Sequence, residues 1–474
     1  DPAVKFFYDS FETYYLTFSQ TVDETKMNVF MSQNPERLKT YKQYKGWKTI
    51  QQYMNLADEN DCKNYFDTVK KYSLVREYGR NGFPVEKILA HKNFDKMSPN
   101  DIYRIIRTKA DKIHTVINAG EEAVELTDNN TSQIDKYLEK PNFGLPFPWY
   151  MYNEYFLGMR ETKLLFEGFL SNEGKTRKLV LLAAYVALVQ NENFFLMSNE
   201  MDEEDLRSCL ITTVINNKEF QELHGVVLEK PEKEIVLGVY HDRKGEIIRR
   251  KIDDFGIYIE SNEDYIKRVQ SESDEYWQVR KVTEWIDSPD RKGKVMFKDV
   301  GNDYSPEQIE FELRKAKMVQ NIKYFGYDTL KGYNTDDWSQ IKQFATRLKE
   351  LTKELRMSGY AVFQLSDDTV FTDIFSLSSN NIANAKQIKH VADILNIGKK
   401  LNKDEYHKYQ MVAENDSWGE PVTEDLDLKK QYFCIKPDKN RAGSKDKIML
   451  FEIDLNLNVW RNIGYIIKRP KNSE

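Results

Sequence analysis

The residues best equipped for chemistry stand together at Gly174-Lys175-Thr176. An apolar run, Leu164-Leu165-Phe166, precedes them. A second run of Leu179, Val180, Leu182, Ala183, Ala184 and Val186 follows at helical spacing. A strand, a tight loop and a helix form the setting in which a backbone cradles phosphate. Glycine lets main-chain N–H groups approach an anion closely. The first helical turn adds unpaired N–H groups and the positive end of its dipole. Lys175 can reach the β- and γ-phosphates of a nucleoside triphosphate, and the Thr176 hydroxyl can ligate magnesium. The candidate nucleotide contacts are Gly168, Ser171, Asn172, Glu173, Gly174, Lys175, Thr176 and Arg177. The usual motif, G-x-x-x-x-G-K-[ST], has a glycine where this chain has Phe169, so an ordinary buried strand, turn and helix is the competing reading.

A phosphate loop needs acids at the ends of neighbouring strands. Phe194-Phe195-Leu196-Met197-Ser198 runs into Asn199-Glu200, with Asp202 following as a helix cap. The run from Ile322 to Tyr327 ends in Asp328. In open α/β sheets ligands gather at such carboxyl ends. Glu200 is the candidate general base and Asp328 the second candidate magnesium ligand beside Thr176. Gly359-Tyr360-Ala361-Val362-Phe363 ends in Gln364, an amide able to hydrogen-bond a γ-phosphate. Near the end, Lys439-Asn440-Arg441-Ala442-Gly443 makes a basic turn between two strands, from which an arginine can reach a phosphate held by a neighbouring subunit.

These residues need elements to hold them. The chain has 474 residues, too many for one ordinary core, which points to two or three domains. Residues 1–120 read as a small all-α domain: Phe7, Phe11, Tyr14, Tyr15 and Phe18 recur at helical steps, as do Ile102, Ile105, Ile106, Ile113, Val116 and Ile117. Ser98-Pro99-Asn100-Asp101 is a helix start. Residues 121–149 read as a linker, because Pro141, Pro146 and Pro148 break helices and stiffen the chain. From 150 to the end strands alternate with helices, which argues an α/β domain with a mainly parallel sheet covered on both faces. The expected strands are Lys163–Phe166, Phe194–Ser198, Ile322–Asp328, Tyr360–Leu365, Asp393–Ile397, Tyr432–Lys436 and Ile448–Asp454. Residues 225–294 interrupt the alternation as an inserted hairpin, with Ile235–Tyr240 and Glu246–Ile252 flanking His241-Asp242-Arg243-Lys244-Gly245. No internal repeat is evident.

A net charge of −6 argues against histone-like binding of nucleic acid but leaves room for a local basic channel. No run is long and apolar enough to span a membrane, and no secretion signal is expected. Three well-separated cysteines, Cys62, Cys209 and Cys434, suggest a reducing, cytoplasmic compartment with buried, inert thiols, and the scattered histidines give no zinc pattern.

Together these stretches resemble the DnaB family of replicative hexameric helicases over residues 140–465, the span of a RecA-like motor domain. Gly144-Leu145-Pro146 to Leu157-Gly158-Met159-Arg160 looks like its entry segment, and Leu164 to Thr176 like its phosphate loop, which in that family often lacks the first glycine. Met197-Ser198-Asn199-Glu200-Met201 resembles the strand bearing its catalytic base, Asp328 its magnesium aspartate, and Gln364 its glutamine linking nucleotide to DNA. Lys439 and Arg441 match the pair inserted into a neighbour's site. Residues 385–393 resemble the segment lining the central channel, which makes Lys386 and Lys389 candidate DNA contacts, with Lys331 a further one. Residues 1–120 look like the family's helical collar. The resemblance implies ATP and Mg²⁺ as cofactors and a homo-hexamer on single-stranded DNA. It also implies primase and a helicase loader as partners, and a phage or mobile-element version acting in a bacterial host's cytoplasm. A RecA-like recombinase, a regulatory ATPase ring and a non-catalytic scaffold for primase or loader assembly are the alternatives.

Overall fold

A computed structural model describes residues 2–18, 22–56, 62–117, 125–290, 293–301, 305–330, 338–379, 388–415 and 421–470. The chain divides into two compact units, Asp1–Asn130 and Thr131–Glu474.

The first unit is helical throughout its described elements, with helices at Pro2–Phe18, Glu24–Ser32, Pro35–Gln43, Trp47–Leu56, Cys62–Arg80, Glu86–Leu89 and Pro99–Ile117. Local sequence sets the helix starts. Asp23 accepts from the Lys26 N–H, and Asn34 caps a helix whose first residue is Pro35. Ser98 and Asp101 cap each other: the Ser98 N–H donates to Asp101 Oδ2 at 2.9 Å and the Asp101 N–H to Ser98 Oγ at 3.2 Å. Two small cores result. One gathers Phe7, Tyr14, Met27, Phe30, Met31, Tyr41 and Ile50, and the other Val75, Ile88, Phe94, Ile102 and Ile106. The aromatic stripe thus packs, with Phe7 edge-on to Tyr41 and Tyr14 edge-on to Phe30. The side chains of Tyr15, Ile113, Val116 and Ile117 lie outside the described residues.

The second unit is built on one sheet of eleven strands: β1 (Leu164–Phe169), β2 (Phe194–Ser198), β3 (Val295–Asp299), β4 (Tyr324–Leu330), β5 (Ser358–Gln364), β6 (Ile394–Lys400), β7 (Tyr409–Asn415), β8 (Pro421–Asp425), β9 (Gln431–Asn440), β10 (Ile448–Asp454) and β11 (Val459–Lys468). Their spatial order is β3-β2-β4-β5-β1-β6-β9-β10-β11-β7-β8. The pairings from β3 to β6 are parallel and those from β6 to β8 antiparallel, five of each. The expected mainly parallel sheet is therefore corrected to a mixed one. After β6 the stretches between successive strands are too short for the crossover that parallel pairing needs.

Every residue of β1 is buried, and alternate residues enter different cores. Leu165 and Phe169 join the cluster on one face, Leu164 and Phe166 that on the other. A strand covered on both sides reads as a continuous apolar run, which is why it is visible in sequence. The entry segment is pinned by two glycines: a Cβ on Gly144 would lie 2.3 Å from the Met159 carbonyl carbon, and Gly158 has φ +74° and faces Gly144. The Trp149 indole N–H then donates to the Trp460 carbonyl at 3.1 Å.

Residues 225–294 correct two expectations. Ile235 lies in a helix, Glu232–Val236, and the hairpin shrinks to a single bridge between His241 and Ile247. Pro231 stands at the N-cap of that helix, and Asp242 accepts from the N–H groups of Lys244 and Glu246, closing the chain into a tight turn. The same turn then recurs. Asp253 accepts from Phe255 and Ile257, Ile252 bridges Tyr258, and Gly245 and Gly256 take matching positive φ values of 86° and 81°. This is an internal repeat missed in the sequence. Helices Asn262–Glu272 and Asp274–Ile286 complete the insertion. Buried Lys230 anchors it, its ammonium 2.9 Å from Glu234 and 2.5 Å from Glu275. Glu234, His241 and Glu275 cluster at metal-ligand spacing, but the lysine already supplies the cation there.

Among the described residues no helix is long and apolar enough to cross a membrane. Cys209 and Cys434 are buried, and burial raises both thiols well above their usual range.

Candidate functional site

The phosphate-loop candidate leaves β1 at Phe169 and enters the helix Lys175–Ala184. Two left-handed residues curl it, Asn172 at φ 58° and Gly174 at φ 85°. Gly174 is required twice over: its φ is unfavourable to other residues, and an added Cβ would lie 2.7 Å from Leu455 and 2.9 Å from Trp460. The Lys178 N–H closes the first helical turn on the Gly174 carbonyl. Asn172, Gly174, Lys175, Thr176 and Arg177 line a cavity of about 570 Å³ with Asn199, Glu200, Met201 and Leu455.

One acid reaches this cavity from the end of β2, and a second lies buried behind the cavity wall in β4. Ser198 closes β2, and its Oγ accepts from the Glu200 and Met201 N–H groups at 3.2 and 3.3 Å, turning Glu200 inward. The Lys175 ammonium and the Glu200 carboxylate form an ion pair, largely shielded from solvent. Asp328, within β4, is fully buried behind Thr176. Its Oδ2 accepts from Thr176 Oγ1 at 2.8 Å and from Ser198 Oγ at 3.1 Å, and its Oδ1 from Thr329 Oγ1 at 2.7 Å. Burial pushes the Asp328 carboxyl above the usual carboxylate range and Glu200 adds to this, although the hydroxyl donors and Lys175 pull the other way. Asn199 locks the two strand ends, its amide bonding the Thr329 carbonyl and N–H at 3.0 and 3.1 Å. Asp202 caps the helix Glu203–Asn216, as its position after the strand suggested.

Several candidates have other surroundings. Gly168 lies inside β1 and does not line that cavity; a Cβ there would meet Leu365 and Phe363 at 2.6 Å, so this glycine is needed for packing between strands. Phe169, at the position of the missing motif glycine, is fully buried against Phe433, with a ring separation of 5.4 Å, and edge-on to Trp460. It points into the core, not the cavity. Ser171 is exposed in the loop. Glu173 turns away towards β6, where it accepts from the Lys400 N–H at 3.2 Å, and burial pushes its carboxyl up to about 7. Arg177 pairs with Glu232 of the insertion, whose other oxygen accepts from Ser208 at 3.0 Å. Gln364 ends β5 and pairs in register with Phe169 at the root of the loop.

Arg441 and Lys439 stand at the opposite end of the sheet. Asn440 registers with Ile394, which registers through β6 with the first half of β1. The six residues of β1 thus separate them from the loop by roughly 20 Å. Arg441 lies 3.5 Å from Asp393 and is half exposed, while its N–H donates to the Asp393 carbonyl at 3.0 Å. Lys439 donates to the Lys389 carbonyl at 2.6 Å, and burial together with Arg441 lowers its ammonium from the usual range. Lys389 is paired with Asp438 at 2.8 Å. Lys331 and Lys386 lie outside the described residues.

One feature had no signal in the sequence beyond a lone lysine in an apolar run. Lys178 and Glu167 are both fully buried and form an ion pair beneath the loop. The lysine also donates to Tyr152 Oη at 2.6 Å and sits over the Trp149 ring at 4.1 Å. Asn396 donates to Glu167 at 3.0 Å. Burial lowers the Lys178 ammonium while Glu167 opposes that shift.

No protein-family model matches the chain. Among curated proteins it is similar to the SPbeta prophage-derived uncharacterized protein YorI of Bacillus subtilis (strain 168), at 22% identity over 246 residues, covering 46% of this chain and 49% of that one. The chain therefore spans about half the length of the curated relative it matches. Its structural neighbours are DnaB-like replicative helicases. It is similar to the helicase in a structure titled as a DnaB-like replicative helicase and its interactions with primase, with TM-score 0.50, 15% identity, and coverage of 95% of this chain and 90% of that chain. It is also similar to a second solved structure, of an ATPase domain alone, with TM-score 0.49, 15% identity, and coverage of 72% of this chain and 99% of that chain. The first of these likenesses shows the fold.

Proposed function

We propose that this chain is an ATP-driven DNA helicase of the DnaB-like kind, which assembles as a homo-hexameric ring, translocates on single-stranded DNA and unwinds duplex at a replication fork. One observation carries the reading: Lys175, Thr176 and Glu200 line one cavity beside a curled glycine loop, with Asp328 buried directly behind Thr176. The fold it shares with a DnaB-like helicase supports it.

The residues fit the chemistry. The Thr176 hydroxyl and the Asp328 carboxylate are hard oxygen donors and would hold magnesium. Bound there, the ion would neutralise charge on the phosphate oxygens. A cation would also favour the ionised form of Asp328, which burial alone disfavours. Lys175, here paired with Glu200, would exchange that partner for the β- and γ-phosphates. The released Glu200 carboxylate would then orient and deprotonate the attacking water. Gln364, at the root of the loop, would report the state of the γ-phosphate.

Arg441 and Lys439 lie too far from Lys175 to serve their own chain's site, so their role would be in a neighbour's, stabilising developing charge. Lys331, Lys386 and Lys389 are the proposed DNA contacts. Residues 1–120 would form the collar, 121–149 the linker and 150–474 the motor, with primase and a loader as partners. The prophage relative supports a phage or mobile-element version working in a bacterial cytoplasm. The test is Lys175→Ala in the full chain. ATP hydrolysis stimulated by single-stranded DNA should vanish while the circular dichroism spectrum is unchanged; undiminished turnover would overturn the reading.

A further inference from the structure

Arg177 follows Thr176 in the first turn of the loop's helix and, with Lys175, is one of two cations lining the cavity. Four elements meet at it. Its carbonyl accepts from Asn458 Nδ2 at 3.0 Å, in the turn between β10 and β11. The same amide donates to Thr213 Oγ1 at 2.6 Å, in the helix Glu203–Asn216. The guanidinium pairs with Glu232, the first residue of the insertion's helix Glu232–Val236. The Glu232 N–H in turn donates to the Asn456 carbonyl at 3.1 Å. The backbone around the arginine is therefore held on every side, and only the guanidinium has a partner to change.

The present pairing is incomplete. The two side chains are largely shielded, 28% of Arg177 and 13% of Glu232 remaining exposed. Yet Arg177 Nη1 and Glu232 Oε2 are both buried and, among the described residues, make no hydrogen bond. A shielded ion pair is well held only when its remaining donors and acceptors are also bonded. The two groups have unequal alternatives. Glu232 Oε1 accepts from Ser208 Oγ at 3.0 Å, so the carboxylate keeps a partner if the arginine leaves. Among the described residues no other acid pairs with Arg177, since Glu200 is taken by Lys175. A phosphate in the cavity would offer the guanidinium two oxygens at once, the geometry its planar fork fits best.

We propose that Arg177 exchanges Glu232 for a phosphate oxygen when the nucleotide binds, so that Glu232, and through it the insertion, sets the affinity of the site. This rests on the reading of the cavity as a triphosphate site. A site whose arginine is free only part of the time binds with its intrinsic affinity reduced by that fraction. Glu232 thus weakens binding while it neutralises Arg177 between ligands.

Calorimetric titration of the full chain with magnesium ATP and with magnesium tripolyphosphate tests the exchange. Glu232→Gln keeps the shape of the side chain and removes its charge, and should tighten both ligands about fivefold. Glu232→Asp, shorter by one methylene, should give a smaller gain in the same direction. Arg177→Ala should weaken both ligands about tenfold. Removing a negative charge near an anion tightens binding by itself, and such a gain would survive the loss of Arg177. The exchange instead requires that adding Glu232→Gln to Arg177→Ala change affinity by less than about twofold. If Glu232→Gln leaves affinity unchanged or lowers it, if its gain persists without Arg177, or if Arg177→Ala binds as the native chain does, the exchange is overturned. If Lys175→Ala leaves both ligands bound as tightly as before, the triphosphate reading itself fails.

Discussion

Thr176 Oγ1 donates to Asp328 Oδ2 at 2.8 Å, joining residues 152 positions apart in the chain. This bond fixes the start of the loop's helix against β4 and holds the buried carboxylate directly behind the hydroxyl that lines the cavity. Since Asp328 also accepts from Ser198, the ends of β2 and β4 and the start of the helix move as one body.

Glu200→Gln keeps the shape of the side chain and removes its basicity. A general base contributes about 10²–10⁴ in rate, and turnover should fall by that order while nucleotide binding persists. Single-turnover hydrolysis and a binding titration on the same variant check it. Lost binding with an unchanged chemical step would make Glu200 only a partner for Lys175.

Phe169→Gly restores the missing motif glycine, and should damage the protein. Phe169 is packed on Phe433 and Trp460, and deleting a buried phenylalanine costs about 3–5 kcal/mol. The melting temperature should drop clearly and nucleotide affinity should not improve. A variant of wild-type stability that binds more tightly would contradict the packing role.

Arg441→Ala should leave nucleotide binding intact and reduce hydrolysis about 10³–10⁵-fold, the range for an arginine finger. Asp393 retains Lys349 as a partner, so the fold should survive. Mixing Arg441→Ala with Lys175→Ala chains is the sharper assay. Sites shared between subunits recover part of the activity in mixed rings, whereas sites confined to one chain recover none.

Glu173 gives a pH dependence. Its ordinary value of 4.5 is raised to about 7 by burial, so between these values the folded chain keeps a proton that the unfolded chain has released. Stability should therefore decline as pH rises through that window and level off above it. Melting curves from about pH 5 to about pH 8 should show the decline in the native chain and a flatter profile in Glu173→Gln. Equal slopes would remove Glu173 as the cause.

Legibility followed burial. All seven strands expected from sequence are present, because they are continuous apolar runs closed by polar residues. The strands missed, β3, β7, β8 and β11, lie at or near the sheet's two margins. β3 is only half buried, and β11 interleaves Arg461, Asn462 and Gly464 with its apolar residues. Glu200 could be found because a strand end announces itself, and Asp328 because it is the first acid after an apolar run, although β4 continues past it to Leu330. Gly168 was misread because a glycine needed for strand packing looks like one needed for a loop. The tandem turns at Asp242 and Asp253 escaped notice because hydrogen bonds from a few amides define them, with little side-chain identity beyond aspartate and glycine. Lys178 carried no sign that its charge would be buried.

The turn that carries Arg441 is already tied down within its own chain. Asn440 donates to the Tyr155 and Ser444 carbonyls, and the Ala442 N–H to Asn440 Oδ1. A surface ordered in advance surrenders little conformational freedom when something docks on it. Whatever meets Arg441 therefore encounters a rigid template, and encounters should be governed more by fit than by search.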